Sequence, residues 1–92
     1  MNKGELVDAI SARLEGTTKK SIDVILSAAT ESIEAAVAAG EKVTLVGFGS
    51  FERRERSERM GRNPKTGEEM KIPATKVPGF SAGKQFKEKV AA

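Results

Sequence analysis

The sequence predicts an α+β fold in which an N-terminal helical hairpin leads into a three-stranded antiparallel sheet, the sheet extends into a long β-arm, and a short C-terminal helix closes the chain. Three observations predict it. Apolar residues recur at helical spacing as far as Gly40 and lose that period beyond it. Short β-prone runs then flank Gly47-Phe48-Gly49. From Glu52 to Lys76 there are eight basic and five acidic residues, with Met60, Met70, Ile72 and Ala74 as the only apolar ones, so no core can form there. One domain is expected over residues 1–92, divided into a helical hairpin at 1–40, a sheet at 41–80 with its arm at about 52–76, and a C-terminal helix at 81–92.

Asn2 followed by Glu5 has the outline of a capping box, and Leu6, Ile10 and Leu14 then form one apolar stripe flanked by Val7. Gly16 is read as the stop, and Thr17 and Thr18 as the cap of a second helix over Lys19–Ala39 that Gly40 closes. Ile22, Ile25, Leu26, Ala29, Ile33, Ala36 and Val37 share one face of that helix. Val24, Ala28 and Ala35 lie off the stripe, so the helix has two sides to bury, and one hairpin covers only one of them. A partner subunit is the natural source of the second surface.

Beyond Gly40, Val43-Thr44-Leu45-Val46 reads as a strand, Gly47-Phe48-Gly49 as a turn with an aromatic anchor, and Ser50-Phe51 as the next strand. Gly61-Arg62-Asn63-Pro64-Lys65-Thr66-Gly67 is turn chemistry between charged runs of similar length, the outline of a protruding β-ribbon. The return strand is expected through Met70–Val77, with Pro73 on an edge or bulge because it lacks a ladder N–H. Pro78-Gly79-Phe80 brings the chain back, and Ser81 is placed as the cap of a last helix carrying Phe86 and Val90 on one face and Lys84, Lys87 and Lys89 elsewhere.

The composition narrows the chemistry. Hydrophobic residues make up 38% of the 92, but many are Ala, there are four Phe, and Trp and Tyr are absent. Large side chains for a core are therefore scarce in a chain already short for one. Cys and His are also absent, which removes disulfides, thiolate and imidazole catalysis and nearly every transition-metal site; no cofactor is expected. The net charge of +3 and pI near 9.4 point to a polyanionic partner. With no apolar leader and no membrane-length run, a cytoplasmic protein is the expectation.

An isolated two-stranded ribbon is marginal in water, and nothing apolar lines this one, so ordering against a partner gives it a purpose. Arg53, Arg54, Arg56, Arg59 and Arg62 dominate its cations, with Lys65, Lys71 and Lys76 beside them, and Arg suits phosphate forks and narrow minor grooves better than Lys. Nucleic acid is therefore the favoured ligand. Arg56, Arg59 and Arg62 recur every three residues, which strand alternation would throw onto opposite faces, so a bulge or strong twist is required if they act together. The intervening glutamates dilute the field and can orient neighbouring arginines. Pro64 at the tip is either a turn former or a rigid apolar wedge that could enter a base step. Lys84, in the first turn of the last helix, sits where backbone N–H groups also favour phosphate.

Catalytic readings fail. Gly47-Phe48-Gly49-Ser50 lacks the helix that a phosphate-binding loop needs, and Gly61–Thr66 lacks a glycine before Lys65. The carboxylates are scattered along the arm with no apolar pocket around them, so acid/base catalysis has no setting. The chain is not expected to be an enzyme.

The segments Met1-Asn2-Lys3, Val43 to Phe51 with its Gly-Phe-Gly-Ser-Phe run, Arg59 to Gly67 with Gly-Arg-Asn-Pro, and Val77 to Lys84 together resemble the bacterial histone-like HU family, which includes integration host factor. The resemblance spans essentially the whole chain. It implies an intertwined dimer in which two helical hairpins form a base and two β-arms reach around double-stranded DNA through its minor groove, bending and compacting it within the nucleoid. It also implies that Pro64 intercalates, that Arg56, Arg59, Arg62 and Asn63 line the groove, that Lys3, Lys84 and Lys87 meet the flanking backbone, and that Phe48, Phe51 and Phe80 pack a shared core. Glu68-Glu69 stands where many relatives place a Lys, and Phe86 replaces a more usual Leu, which should alter core packing.

The non-specific, homodimeric form of that family is favoured, with a heterodimer and a sequence-specific subunit like integration host factor as alternatives. An RNA-binding basic dimer is the other alternative, since shape and phosphate contacts would serve there too. A membrane-surface role is disfavoured because no Trp- or Leu-rich apolar face lies outside the expected core.

Overall fold

The computed structural model describes residues 1–92, which divide into two compact units, Met1–Ala35 and Ala36–Ala92. In the first, helix α1 (Lys3–Ser11) starts as its cap predicts: the Asn2 side chain accepts the Glu5 N–H at 2.9 Å. It ends earlier than the stripe suggests. The N–H groups of Arg13 and Leu14 bond the carbonyls of Ile10 and Ser11, a tight three-residue turn that takes Leu14 out of the helix before Gly16 adopts φ +74°. Val7, expected as a flank, is the buried residue of α1, while Leu6 stays partly exposed. Helix α2 (Lys19–Ala38) is capped by Thr18, whose hydroxyl accepts the Ser21 N–H at 3.1 Å. Across the hairpin, Lys19 pairs with Asp8 at 3.0 Å and Lys3 with Asp23 at 3.3 Å.

The end of α2 opens the second unit. Glu41 N–H bonds the Ala36 carbonyl and Gly40 N–H bonds that of Val37, the paired bonds of a Schellman motif, and Gly40 has the left-handed φ of +91° that this motif favours. Strand β1 (Val43–Leu45) is one residue shorter than expected, because Val46 belongs to the following turn. Phe48 N–H closes that turn on the Leu45 carbonyl. Gly47, at the turn's third position, carries a positive φ of 84°. A type II turn requires that conformation there.

Strand β2 (Gly49–Arg56) is central, with β1 on one side and β5 (Thr75–Ala82) on the other, both antiparallel. Beyond this sheet, β3 (Arg59–Arg62) and β4 (Glu69–Ile72) form a separate two-stranded ladder. The return strand is therefore broken where the sequence predicts a continuous one: Pro73 and Ala74 leave the ladder, and so do Ser57 and Glu58 on the outgoing side. Proline supplies no N–H to hold the pairing. The gap contains the same number of residues on each strand, and the register on its two sides is continuous, Arg56 facing Thr75 and Arg59 facing Ile72.

Residues Pro78-Gly79-Phe80, expected at the return to the body, lie inside β5, where Pro78 is tolerated because β5 is an edge strand. Helix α3 (Lys84–Ala91) is capped by Gly83 and not by Ser81, which is still in β5. Ser81 instead accepts a hydrogen bond from the Arg54 guanidinium at 3.0 Å, a long-range contact that its local sequence does not announce. The four phenylalanines of the chain converge in this unit. Phe48 lies 5.3 Å from both Phe80 and Phe86, and Phe51 lies 4.8 Å from Phe80, as ring-centroid distances.

Candidate nucleic-acid interface

The site candidates fall into two electrostatic groups. Arg53 and Arg54, at the base of the arm, are already occupied. Arg53 donates to the Ala38 carbonyl at 3.3 Å and lies 4.0 Å from Glu55, and Arg54 holds Ser81 and pairs with Glu52 at 3.5 Å. Lys71 pairs with Glu58 at 3.1 Å, from the ladder to the gap beside it. Arg56, Arg59, Arg62, Lys65 and Lys76 have no ion-pair partner, although Arg62 faces Glu69 and Lys76 faces Glu55 across the strands. Exposed pairs of the first kind contribute about 0–1 kcal/mol each, so their main effect is to orient the side chains.

No bulge lies between Arg56, Arg59 and Arg62, since the register does not slip, so of the two expected devices, a bulge or a strong twist, the bulge is absent there. Within β3, Arg59 and Arg62 occupy opposite faces by strand alternation. The bulge lies at the tip instead. Gly67 N–H bonds the Asn63 carbonyl at 2.7 Å, and Asn63 N–H bonds the Glu68 carbonyl at 2.8 Å. Gly67 has a left-handed φ of 73°. Gly67 and Glu68 together therefore oppose Asn63 as a G1 bulge.

Asn63 also shapes the turn through its side chain, which accepts the Lys65 N–H at 2.9 Å. Pro64 is thereby held between two residues whose backbones are fixed by hydrogen bonds. The Thr66 hydroxyl accepts the Glu68 N–H at 3.3 Å and ties down the other side. Sequence reasoning reads the Asn63-Pro64 step as turn chemistry, and the structure shows how Asn63 takes part, through its side-chain oxygen on the Lys65 N–H.

The cations outside the arm differ among themselves. Lys3 is engaged by Asp23 and the Ser27 hydroxyl. Lys84 is the first residue of α3, its side chain is 89% exposed, and it lies 4.0 Å from Glu88. Lys87 has no ion-pair partner, and its backbone N–H closes the first turn of α3 on Gly83. Phe48, Phe51 and Phe80 do pack together, with Phe86 stacked on Phe48 at an interplanar angle of 24°. Phe48 and Phe80 nonetheless remain 44% and 39% exposed within one chain.

Residues 1–91 match the family described as bacterial DNA-binding protein. DNA-binding protein HU of Synechocystis sp. is 65% identical, the alignment covering 99% of this chain and 96% of that protein, and HU of Nostoc sp. is 66% identical with the same coverage. Among solved structures, a cocrystal of Anabaena HU with DNA superposes with a TM-score of 0.91 at 67% identity, covering 99% of this chain and 98% of that one. HU from Thermotoga maritima superposes with a TM-score of 0.68 at 39% identity, covering 98% of each.

Proposed function

The chain belongs to the bacterial DNA-binding protein family, and from that premise we propose that it is a histone-like architectural protein: a dimer that grips double-stranded DNA with its arms and bends it largely without reading sequence. The observation that carries this reading is the set of arm cations that have no ion-pair partner. Arg56, Arg59, Arg62, Lys65 and Lys76 are free of carboxylate partners, so phosphates can take them without first breaking an ion pair. The base cations Arg53 and Arg54 are spent on orienting the arm. Family and relatives alike point to a DNA-binding protein and not to an enzyme.

The mechanism follows from phosphate chemistry. Each cation that meets a phosphate releases condensed counterions, which supplies affinity independent of base sequence. Specificity then comes from how easily the duplex deforms. Pro64 is the wedge in this scheme: a rigid ring between hydrogen-bonded neighbours can enter a base step and kink it, and what supports the role is the bracing of the tip by Asn63 and Thr66. Lys84 and Lys87 meet the flanking backbone; Lys3 joins them by exchanging Asp23 for a phosphate. Phe48, Phe51 and Phe80 belong to the shared dimer core, and identical chains assemble within the nucleoid. No helix is long and apolar enough to cross a membrane.

Affinity and bend angle measured on intact, nicked and mismatched duplexes at two salt concentrations test the proposal. Binding that falls steeply with salt, and bending that Pro64→Ala reduces more than it reduces affinity, are expected. Binding insensitive to salt, or preference for duplex RNA in direct competition, would overturn it.

A further inference from the structure

The chain has no Cys, His, Trp or Tyr, so its three methionines are the only side chains that mild oxidants modify readily. Met1 is at the terminus, and the other two are on the arm. Met60 is 63% exposed and Met70 47% exposed, on strands with no core behind them. Their register places them on different faces. Met60 faces Lys71 and shares its side of the ribbon with Arg62, whereas Met70 faces Gly61 and shares the other side with Arg59 and Ile72. Whichever face meets a duplex, one thioether lies in the contact, Met60 about 7 Å along its strand from Arg62 and Met70 diagonally across the ladder from Arg59.

We propose that Met60 and Met70 form an oxidation-sensitive modification site, at which conversion to sulfoxide by a peroxide loosens the arm's hold on DNA. The chemistry balances with the peroxide alone. The sulfur lone pair attacks one peroxide oxygen, the O–O bond breaks as the S–O bond forms, sulfur is oxidised by two electrons, and the departing oxygen leaves as water after proton transfer. Two consequences act in the same direction. The apolar thioether becomes a polar group that no longer favours leaving water for a sugar edge, and the new oxygen accepts hydrogen bonds from the neighbouring guanidinium in competition with phosphate. Absence of cysteine leaves no thiol to intercept the oxidant first.

This inference rests on the DNA-binding reading, and the experiment separates the two. The whole protein is treated with hydrogen peroxide, oxygen incorporation at each methionine is read by mass spectrometry, and affinity for a duplex is compared before and after. Full conversion should weaken binding by about threefold or more, roughly the loss of one buried methylene-sized contact, and a sulfoxide reductase with its thiol reductant should restore it. The double variant Met60→Leu, Met70→Leu keeps the volume, and its own affinity, whatever its untreated value, should be the same before and after treatment, with Met1 still oxidised as an internal control. Unchanged affinity in the fully oxidised parent, or an equal loss in the double variant, sinks the proposal. Failure of the untreated parent to bind any duplex would instead sink the functional reading beneath it.

Discussion

At the scale of single residues, the sequence is legible wherever a signal acts on its own neighbours. Asn2, Thr18 and Gly40 each satisfy backbone groups close to them in the chain, so their roles can be read without knowledge of the fold. Ser81 cannot, because its hydroxyl serves Arg54 from 27 positions away. Gly49 belongs to this second class. A Cβ there would lie 2.5 Å from the Ser81 carbonyl and 2.6 Å from the Phe80 ring, and the carbonyl is fixed by the ladder in which Gly49 faces Ala82. Gly49→Ala should therefore destabilise the protein by about 3 kcal/mol, the upper range for overpacking, because neither neighbour can move aside. At Gly79 the atoms nearest a Cβ would be those of the Arg54 side chain, which can swing away. Gly79→Ala should cost less than about 1 kcal/mol. Urea unfolding of both variants at one protein concentration checks the contrast, and equal midpoints would contradict it.

At the scale of elements, the existence and type of each helix and strand are legible, since their periods differ, but the division of the arm is not. Composition shows a run of charges; only the structure shows that the ladder breaks at Ser57-Glu58 and Pro73-Ala74, and that Arg53, Arg54 and Lys71 are engaged while Arg56, Arg59, Arg62, Lys65 and Lys76 have no ion-pair partner. That difference has a measurable consequence. Replacing Arg56, Arg59 or Arg62 by Ala should each reduce the slope of log affinity against log salt by about 0.9, the release expected for one lost phosphate contact. Replacing Arg53 or Arg54 should change the slope less. It should lower thermal stability instead, because these guanidinium groups bond the Ala38 carbonyl and Ser81. Equal slope changes at all five positions would mean that the arm's ion pairs do not survive in solution.

For the whole molecule, the scarcity of large side chains already indicates that one chain lacks a sufficient core, and the structure makes the shortage specific. Only three hydrophobic side chains, Val7, Ile22 and Val37, are buried, and no side chain is fully enclosed, while Val24, Ile25, Leu45, Phe48 and Phe80 are among those left exposed. What the sequence could not supply is the identity of the covering surface, since a second apolar side on α2 specifies that something packs there and not what. Burying one such side chain contributes about 1.5–3 kcal/mol, so five covered by a partner approach the roughly 5–15 kcal/mol that separates folded from unfolded domains. Folding and dimerisation must then be one equilibrium, and the melting temperature should rise with protein concentration. Ile25 supplies the sharper check, being 63% exposed in a single chain. If the chain were stable alone, Ile25→Asp would change stability by less than about 0.5 kcal/mol, as surface substitutions do. In a dimer that covers it, the buried unpaired carboxylate should abolish assembly and the folded circular dichroism signal together at micromolar protein. A folded, monomeric Ile25→Asp protein in sedimentation would show that the single chain sustains itself and that its exposed apolar surface serves something other than a second copy.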